Sequence, residues 1–203
     1  MIETINVNRD DEGNLYSNES ILKGILHHSK FDGGYDPING FTDYIIGSGS
    51  RKEIIKKLGF SDNPTEAECR SKMKSFKLNA YPNFTFTLHK DLESEVQQIY
   101  NELKELGVEL NKYQGHYCFR PINNPSKKGS KTLSMHSFGC AIDLNYNLNP
   151  FVRNGKPLSS GDNTKKGIVR TLDSPIVKIF AKYGWGWGGC YGDYMHFSKA
   201  NGG

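Results

Sequence analysis

Ser134-Met-His-Ser-Phe-Gly-Cys-Ala-Ile-Asp143 carries both a turn and the start of a strand. Gly139 turns the chain, and from Cys140 to Asn145 the residues alternate. Cys140, Ile142 and Leu144 point to one face; Ala141, Asp143 and Asn145 point to the other. His136 therefore sits on the entry loop and Asp143 within the strand, beside a small alanine that leaves room for a bulky site. Asp193-Tyr-Met-His196 follows later in the chain. There Tyr194, His196 and Ser198 share one face of a final strand, while Met195 and Phe197 face the core. Two imidazoles and a carboxylate are a donor set for a divalent metal, with a fourth position left open and a spare carboxylate as base. His136, Asp143 and His196 are the candidate ligands and Asp193 the candidate base. His27, His28, His89 and His116 lack such company and read as structural or surface histidines.

Working outward, Asp173-Ser-Pro175 starts a helix with Ile176, Ile179, Phe180 and Tyr183 inward and Gly184 at its end. Residues 146–172 read as a long polar loop of the kind that borders active sites. Upstream, 121–133 is a Pro- and Lys-containing loop, and His116 to Arg120 reads as a strand. Leu92, Val96, Ile99, Leu103 and Leu106 mark an amphipathic helix stopped by Gly107. Phe84 to Leu88 alternates as a strand. Ser50 with Glu53 forms a capping box for a helix ending at Gly59, and Asn63-Pro64-Thr65-Glu66 starts another with proline at its first helical position. Ser17 or Asn18 caps a short helix bearing Ile21, Leu22, Ile25 and Leu26, and residues 31–49 read as loop.

Helices alternate with strand pairs rather than with single parallel strands. The fold class is therefore α+β, a small antiparallel sheet flanked by helices. The expected division is a mainly helical extension over 1–79 and a main domain over 80–203.

The 203 residues suffice for a real core, and aromatic content of 12% with 24% charged residues is globular in kind. No apolar run spans a membrane, and the first residues lack the apolar core of an export signal. A protein made in the cytoplasm is expected, as a monomer. The net charge of +4 is compatible with an anionic partner without naming one. Residues 51–77 hold eight Lys/Arg against four Asp/Glu. No base-reading helix pattern stands out there, so a solvated helical face is expected rather than nucleic-acid binding. Cys69, Cys118, Cys140 and Cys190 have no Cys-x-x-Cys spacing and read as free thiols of a protein made in the cytosol, with disulfides the alternative if it works outside. As a soft ligand Cys140 is rejected, since it alternates away from Asp143; Cys190 stays open.

Ser134-x-His136-x-x-Gly139-x-Ala141-x-Asp143, Gly184-Trp185-x-Trp187-Gly188-Gly189 and Asp193-x-x-His196-Phe197 together resemble the zinc D-Ala-D-Ala carboxypeptidase and L-alanyl-D-glutamate endopeptidase family, over about residues 80–198. That family includes vancomycin-resistance carboxypeptidases and phage endolysins, and shares its fold with the Hedgehog signalling domain. The Trp-Gly-Gly and Asp-x-x-His segments are closer to the endolysin branch, although Cys190-Tyr191 stands where related endolysins often carry Asp-Trp. The resemblance implies one zinc per chain on His136, Asp143 and His196, with Asp193 as general base. It also implies Arg120 as the arginine near the scissile carbonyl and Ser134 as a support of the site. Of the two tryptophans in Gly184-Trp-Gly-Trp-Gly-Gly189, one is expected to pack under the sheet and Trp187 to wall the site. The implied substrate is bacterial peptidoglycan, cut at the L-Ala–D-Glu bond by an endolysin or virion-borne lysin. A D-Ala-D-Ala carboxypeptidase and a non-catalytic binding module are the rival readings.

Overall fold

The computed structural model describes residues 48–122, 131–153, 156–157, 169, 174–191 and 193–200. The helix expected after Ser17 and most of the loop expected over 31–49 lie outside the described residues.

Helix α1 (Arg51–Lys57) begins with the capping box read from the sequence. The Ser50 amide donates to Glu53 Oε2 at 2.7 Å and the Glu53 amide donates back to Ser50 Oγ at 3.4 Å. Gly59, at φ +75°, takes the left-handed conformation that ends it. Helix α2 (Glu66–Ser71) is capped by Thr65, whose side chain accepts from the Glu68 amide. Pro64 thus precedes the cap instead of occupying the first helical position, a shift that lets the better capping residue do the capping.

Strands β1 (Met73–Lys77) and β2 (Thr85–His89) form an antiparallel hairpin with Phe76 opposite Phe86. The boundary expected between residues 79 and 80 falls inside this hairpin. Residues 73–77 are strand rather than helix because Phe76 is buried against the same core as Phe86. Ile54, Phe60 and Cys69, from the expected extension, belong to that core as well. The lysines of α1 are left outside, Lys52, Lys56 and Lys57 being exposed, while Arg51 and Ile54 are buried.

Helix α3 (Glu93–Glu105) buries Val96, Ile99, Tyr100 and Leu103, and Gly107 at φ +84° stops it. Leu106 is exposed rather than inward. Next come β3 (Ala141–Asp143), a small hairpin of β4 (Val152–Arg153) and β5 (Lys156–Pro157), and helix α4 (Pro175–Lys182). The β4–β5 hairpin interrupts what the sequence reads as loop. Pro175 begins α4 as expected, and its inward face uses Val177 in addition to Ile176 and Phe180. Strands β6 (Gly186–Trp187) and β7 (His196–Ser198) complete an antiparallel sheet of order β3-β7-β6.

The expected strand at His116–Arg120 is not regular. Gly115 pairs with Asp143 and Pro121 with Leu133 as isolated bridges, while the Tyr117 amide donates to Thr87 O at 3.0 Å. This extended run is the seam between the two sheets, its backbone shared between β2 and β3. The result is a mixed α+β fold of small antiparallel sheets and helices. No helix among the described residues is long and apolar enough to cross a membrane.

Candidate metal centre

His136 is carried by a 3-10 turn, Met135–Phe138, whose shape is fixed at both ends. Ser134 caps it, Oγ accepting from the His136 amide at 3.4 Å. Gly139 closes it at φ +62°, where a Cβ would stand 2.3 Å from Met73 Sδ and 2.5 Å from the His89 amide nitrogen. Only glycine meets both demands. Ser137 fastens the turn to the seam: its Oγ accepts from the Arg120 amide at 2.9 Å and donates to Arg120 O at 2.9 Å.

Asp143 ends β3 directly opposite His196, the first residue of β7. Asp143 Oδ1 lies 2.9 Å from His196 Nδ1 and 3.2 Å from His136 Nε2, and those two nitrogens are 3.2 Å apart. His136 is 2% exposed and His196 8% exposed, so the cluster is sunk in the protein. Among the described residues these three offer ligand atoms that all lie within 4.8 Å of one another. His136 Nδ1 donates to the His116 carbonyl at 2.8 Å, which leaves Nε2 as the lone-pair nitrogen facing the cluster.

Burial would push the Asp143 carboxyl up, but the imidazoles of His136 and His196 outweigh it and hold the group well below the ordinary carboxylate range. Burial would pull His136 down, yet Asp143 overrides it and raises the imidazole above its ordinary value. An anion fixed between two imidazoles is a centre made for positive charge. The donor set, with its nitrogen lone pair aimed inward and its carboxylate ionised, fits a divalent transition metal.

The other expected site residues fall as follows. Asp193 is half-buried in the turn entering β7, its amide donating to Gly188 O at 3.0 Å and its carbonyl accepting from the His196 amide at 3.2 Å. Arg120 is half-buried beside the His136 turn, and its charge opposes protonation of His136. Ser134 is buried and acts as the cap just described. Trp187 is 2% exposed, with its indole N–H donating to Tyr194 O at 2.9 Å. A Cβ on Gly189 would stand 2.1 Å from that ring, so one glycine of the Trp-Gly-Gly run is the floor on which Trp187 lies. Trp185 is fully buried and its indole N–H donates to Glu95 at 2.6 Å. Cys140 is also buried, its thiol pushed up to about 12 chiefly by desolvation, and lies outside the ligand cluster. The side chain of Cys190 lies outside the described residues.

Several supporting residues escape the sequence reading. Gly115 exchanges both backbone bonds with Asp143, at 2.8 and 2.9 Å. Asn145, at φ +45° and 1% exposed, donates from Nδ2 to Glu109 O at 2.9 Å and accepts from the Asn111 amide at 3.0 Å. Those bonds anchor the loop that delivers Gly115. The signal for Gly115 was available, because an isolated glycine in extended chain marks a close backbone approach. His89 and His116 are buried or half-buried, and desolvation lowers both imidazoles.

A family model described as D-alanyl-D-alanine carboxypeptidase matches residues 128–199. That span contains Ser134, His136, Asp143, Trp187, Asp193 and His196, and leaves Arg120 outside. No curated protein and no solved structure matches the chain.

Proposed function

We propose that this chain is a zinc peptidase of bacterial peptidoglycan that hydrolyses the L-Ala–D-Glu bond of the stem peptide. The observation that carries the reading is the convergence of His136, Asp143 and His196 inside the span similar to the D-alanyl-D-alanine carboxypeptidase model.

His136 Nε2, His196 Nδ1 and an Asp143 carboxylate oxygen would hold one metal ion. Bound there, zinc supplies Lewis acidity, polarising a scissile carbonyl and lowering the pKa of water from about 16 toward about 7. Asp193 takes the proton released as water attacks and returns it to the departing amine. Arg120, permanently cationic, faces either the developing oxyanion or a substrate carboxylate. D-Glu in the stem peptide supplies such a carboxylate. Ser134 keeps the His136 turn in shape, and Trp187 braces the backbone at Tyr194, between Asp193 and His196. The protein is made in the cytoplasm and reaches the wall as an endolysin or as part of a virion, working as a monomer without nucleic acid.

The description of the matching family supports a second reading, removal of terminal D-Ala by a D,D-carboxypeptidase. The test is to quantify zinc per chain and digest purified peptidoglycan with and without chelator, followed by mass spectrometry of the muropeptides. About one zinc per chain with chelator-sensitive release of new L-Ala carboxyl and D-Glu amino ends is expected. Loss of terminal D-Ala alone would replace the endopeptidase with the carboxypeptidase. Bound zinc with no cleavage of any wall type would leave a binding module.

A further inference from the structure

We infer that Gly115 is a positioning residue for the metal ligands, and that its missing side chain is what allows Asp143 and His136 to converge; the inference rests on the metal reading above. A Cβ built on Gly115 would stand 2.5 Å from Asp143 Oδ2, 2.7 Å from its Cβ and 2.9 Å from its Cγ. All three distances are shorter than real side chains tolerate, so the rear of the Asp143 carboxylate lies flat on the Gly115 backbone. The opposite oxygen, Oδ1, is the one shared by His136 and His196. Gly115 therefore decides which way the carboxylate can turn.

The backbone around Gly115 reaches two of the three candidate ligands. Its amide donates to Asp143 O at 2.8 Å and its carbonyl accepts from the Asp143 amide at 2.9 Å. The next residue, His116, offers the carbonyl that accepts from His136 Nδ1 at 2.8 Å. Two consecutive residues of one extended segment thus orient a carboxylate ligand and an imidazole ligand. A methyl group at position 115 leaves two ways out. Either the Asp143 carboxylate swings off the histidines, or the segment retreats and takes the His116 carbonyl with it. Both disturb the donor set, whereas an ordinary packing defect elsewhere in the core leaves it alone.

The test uses the full chain and zinc alone as the probe. Zinc affinity is measured by competition with a chromophoric chelator for wild type, Gly115→Ala and Leu103→Ala, the last being a core substitution on α3 as a control for general destabilisation. Removing a group that orients a metal ligand weakens metal binding by about 10–100-fold, and Gly115→Ala should fall in that range while Leu103→Ala does not. The cobalt-substituted Gly115→Ala protein should show a changed ligand-field spectrum. A second arm needs no metal: thermal stability of the stripped protein in a double-mutant cycle with Asp143→Gly. The cost of Gly115→Ala should shrink when residue 143 has no side chain, and a Gly115→Ala protein too unstable to fold should be rescued by Asp143→Gly. Unchanged zinc affinity, an equal loss in Leu103→Ala, or the same stability cost in both backgrounds overturns the assignment. Absence of zinc binding by wild type would instead overturn the metal reading, and the positioning role with it.

Discussion

His136 and His196 bring different ring nitrogens, Nε2 and Nδ1, to within 3.2 Å of each other beside the same oxygen of Asp143. His136 reaches the cluster from a glycine-closed turn and His196 from the last strand, so neither position can substitute for the other. His136→Ala and His196→Ala should each retain the fold yet reduce bound zinc from about one per chain to under about a tenth of that at micromolar metal. Metal analysis after dialysis, beside a thermal melt, checks both halves of the statement.

Asp193→Ala should separate binding from chemistry. If Asp193 handles the proton, turnover on peptidoglycan falls by about 10²–10⁴-fold while zinc content stays at the wild-type level. Wild-type turnover in the variant would remove Asp193 from the mechanism.

The charges of the cluster predict opposite pH behaviour for the metal-free and metal-loaded states. Asp143 is held below its ordinary value, so its contribution to stability is present above the unfolded carboxylate pKa and lost as pH falls through the folded value. His136 is raised, so its contribution is full below the unfolded imidazole pKa and lost as pH rises through the folded value. The stripped protein should therefore gain most from this pair between about pH 4 and about pH 6.5. Zinc competes with the His136 proton, so its affinity should drop about tenfold per pH unit below the raised value. Melting curves across pH, with and without zinc, would expose a failure of either slope.

Arg51 is 5% exposed, stacks its guanidinium 5.2 Å above the Phe138 ring and donates to the Leu133 carbonyl. It ties α1 to the stretch that enters the His136 turn. Arg51→Ala should cost about 1–3 kcal/mol by removing a charged donor from a part-buried acceptor, readable as a lower urea midpoint. A midpoint within error of wild type would show the contact to be dispensable.

The cysteines should differ sharply in reactivity. Burial pushes the Cys69 thiol up to about 11 and Cys140 up to about 12, whereas Cys118 is exposed. A maleimide pulse on the native protein, read by peptide mapping, should label Cys118 well before Cys69 or Cys140. Equal labelling would mean that the core around α2 and the His136 turn opens readily.

What the sequence made legible follows from the range of the forces involved. Caps and stops depend on a few neighbouring residues, so Ser50 with Glu53, Gly107 and Pro175 could be read directly. The alternation through Ala141, Ile142 and Asp143 likewise revealed β3. Phe76 was harder: its strand is set by pairing with Phe86 and by burial in the common core, partners no local pattern names. The seam at Gly115–Arg120 looked like a strand because its residues are extended, yet its hydrogen bonds are divided between two sheets. At the site, side-chain chemistry pointed to His136, Asp143 and His196, while the groups that orient them are largely backbone atoms. A carbonyl at His116 and a bare Cα at Gly115 leave almost no trace in residue type.

Asp143 and His196 are direct partners in the pairing of β3 with β7, a ladder only three residues long. Because successive strand residues face opposite ways, a slip of one residue would carry a ligand to the far side of the sheet. Metal affinity and strand register would then be one property measured twice. A chain whose final strand docked out of step would have nowhere to hold an ion, so a bound metal would stabilise the correctly threaded form and no misthreaded one. With a metal bound, the centre would in that sense check its own topology, adding stability only to molecules that are already properly assembled.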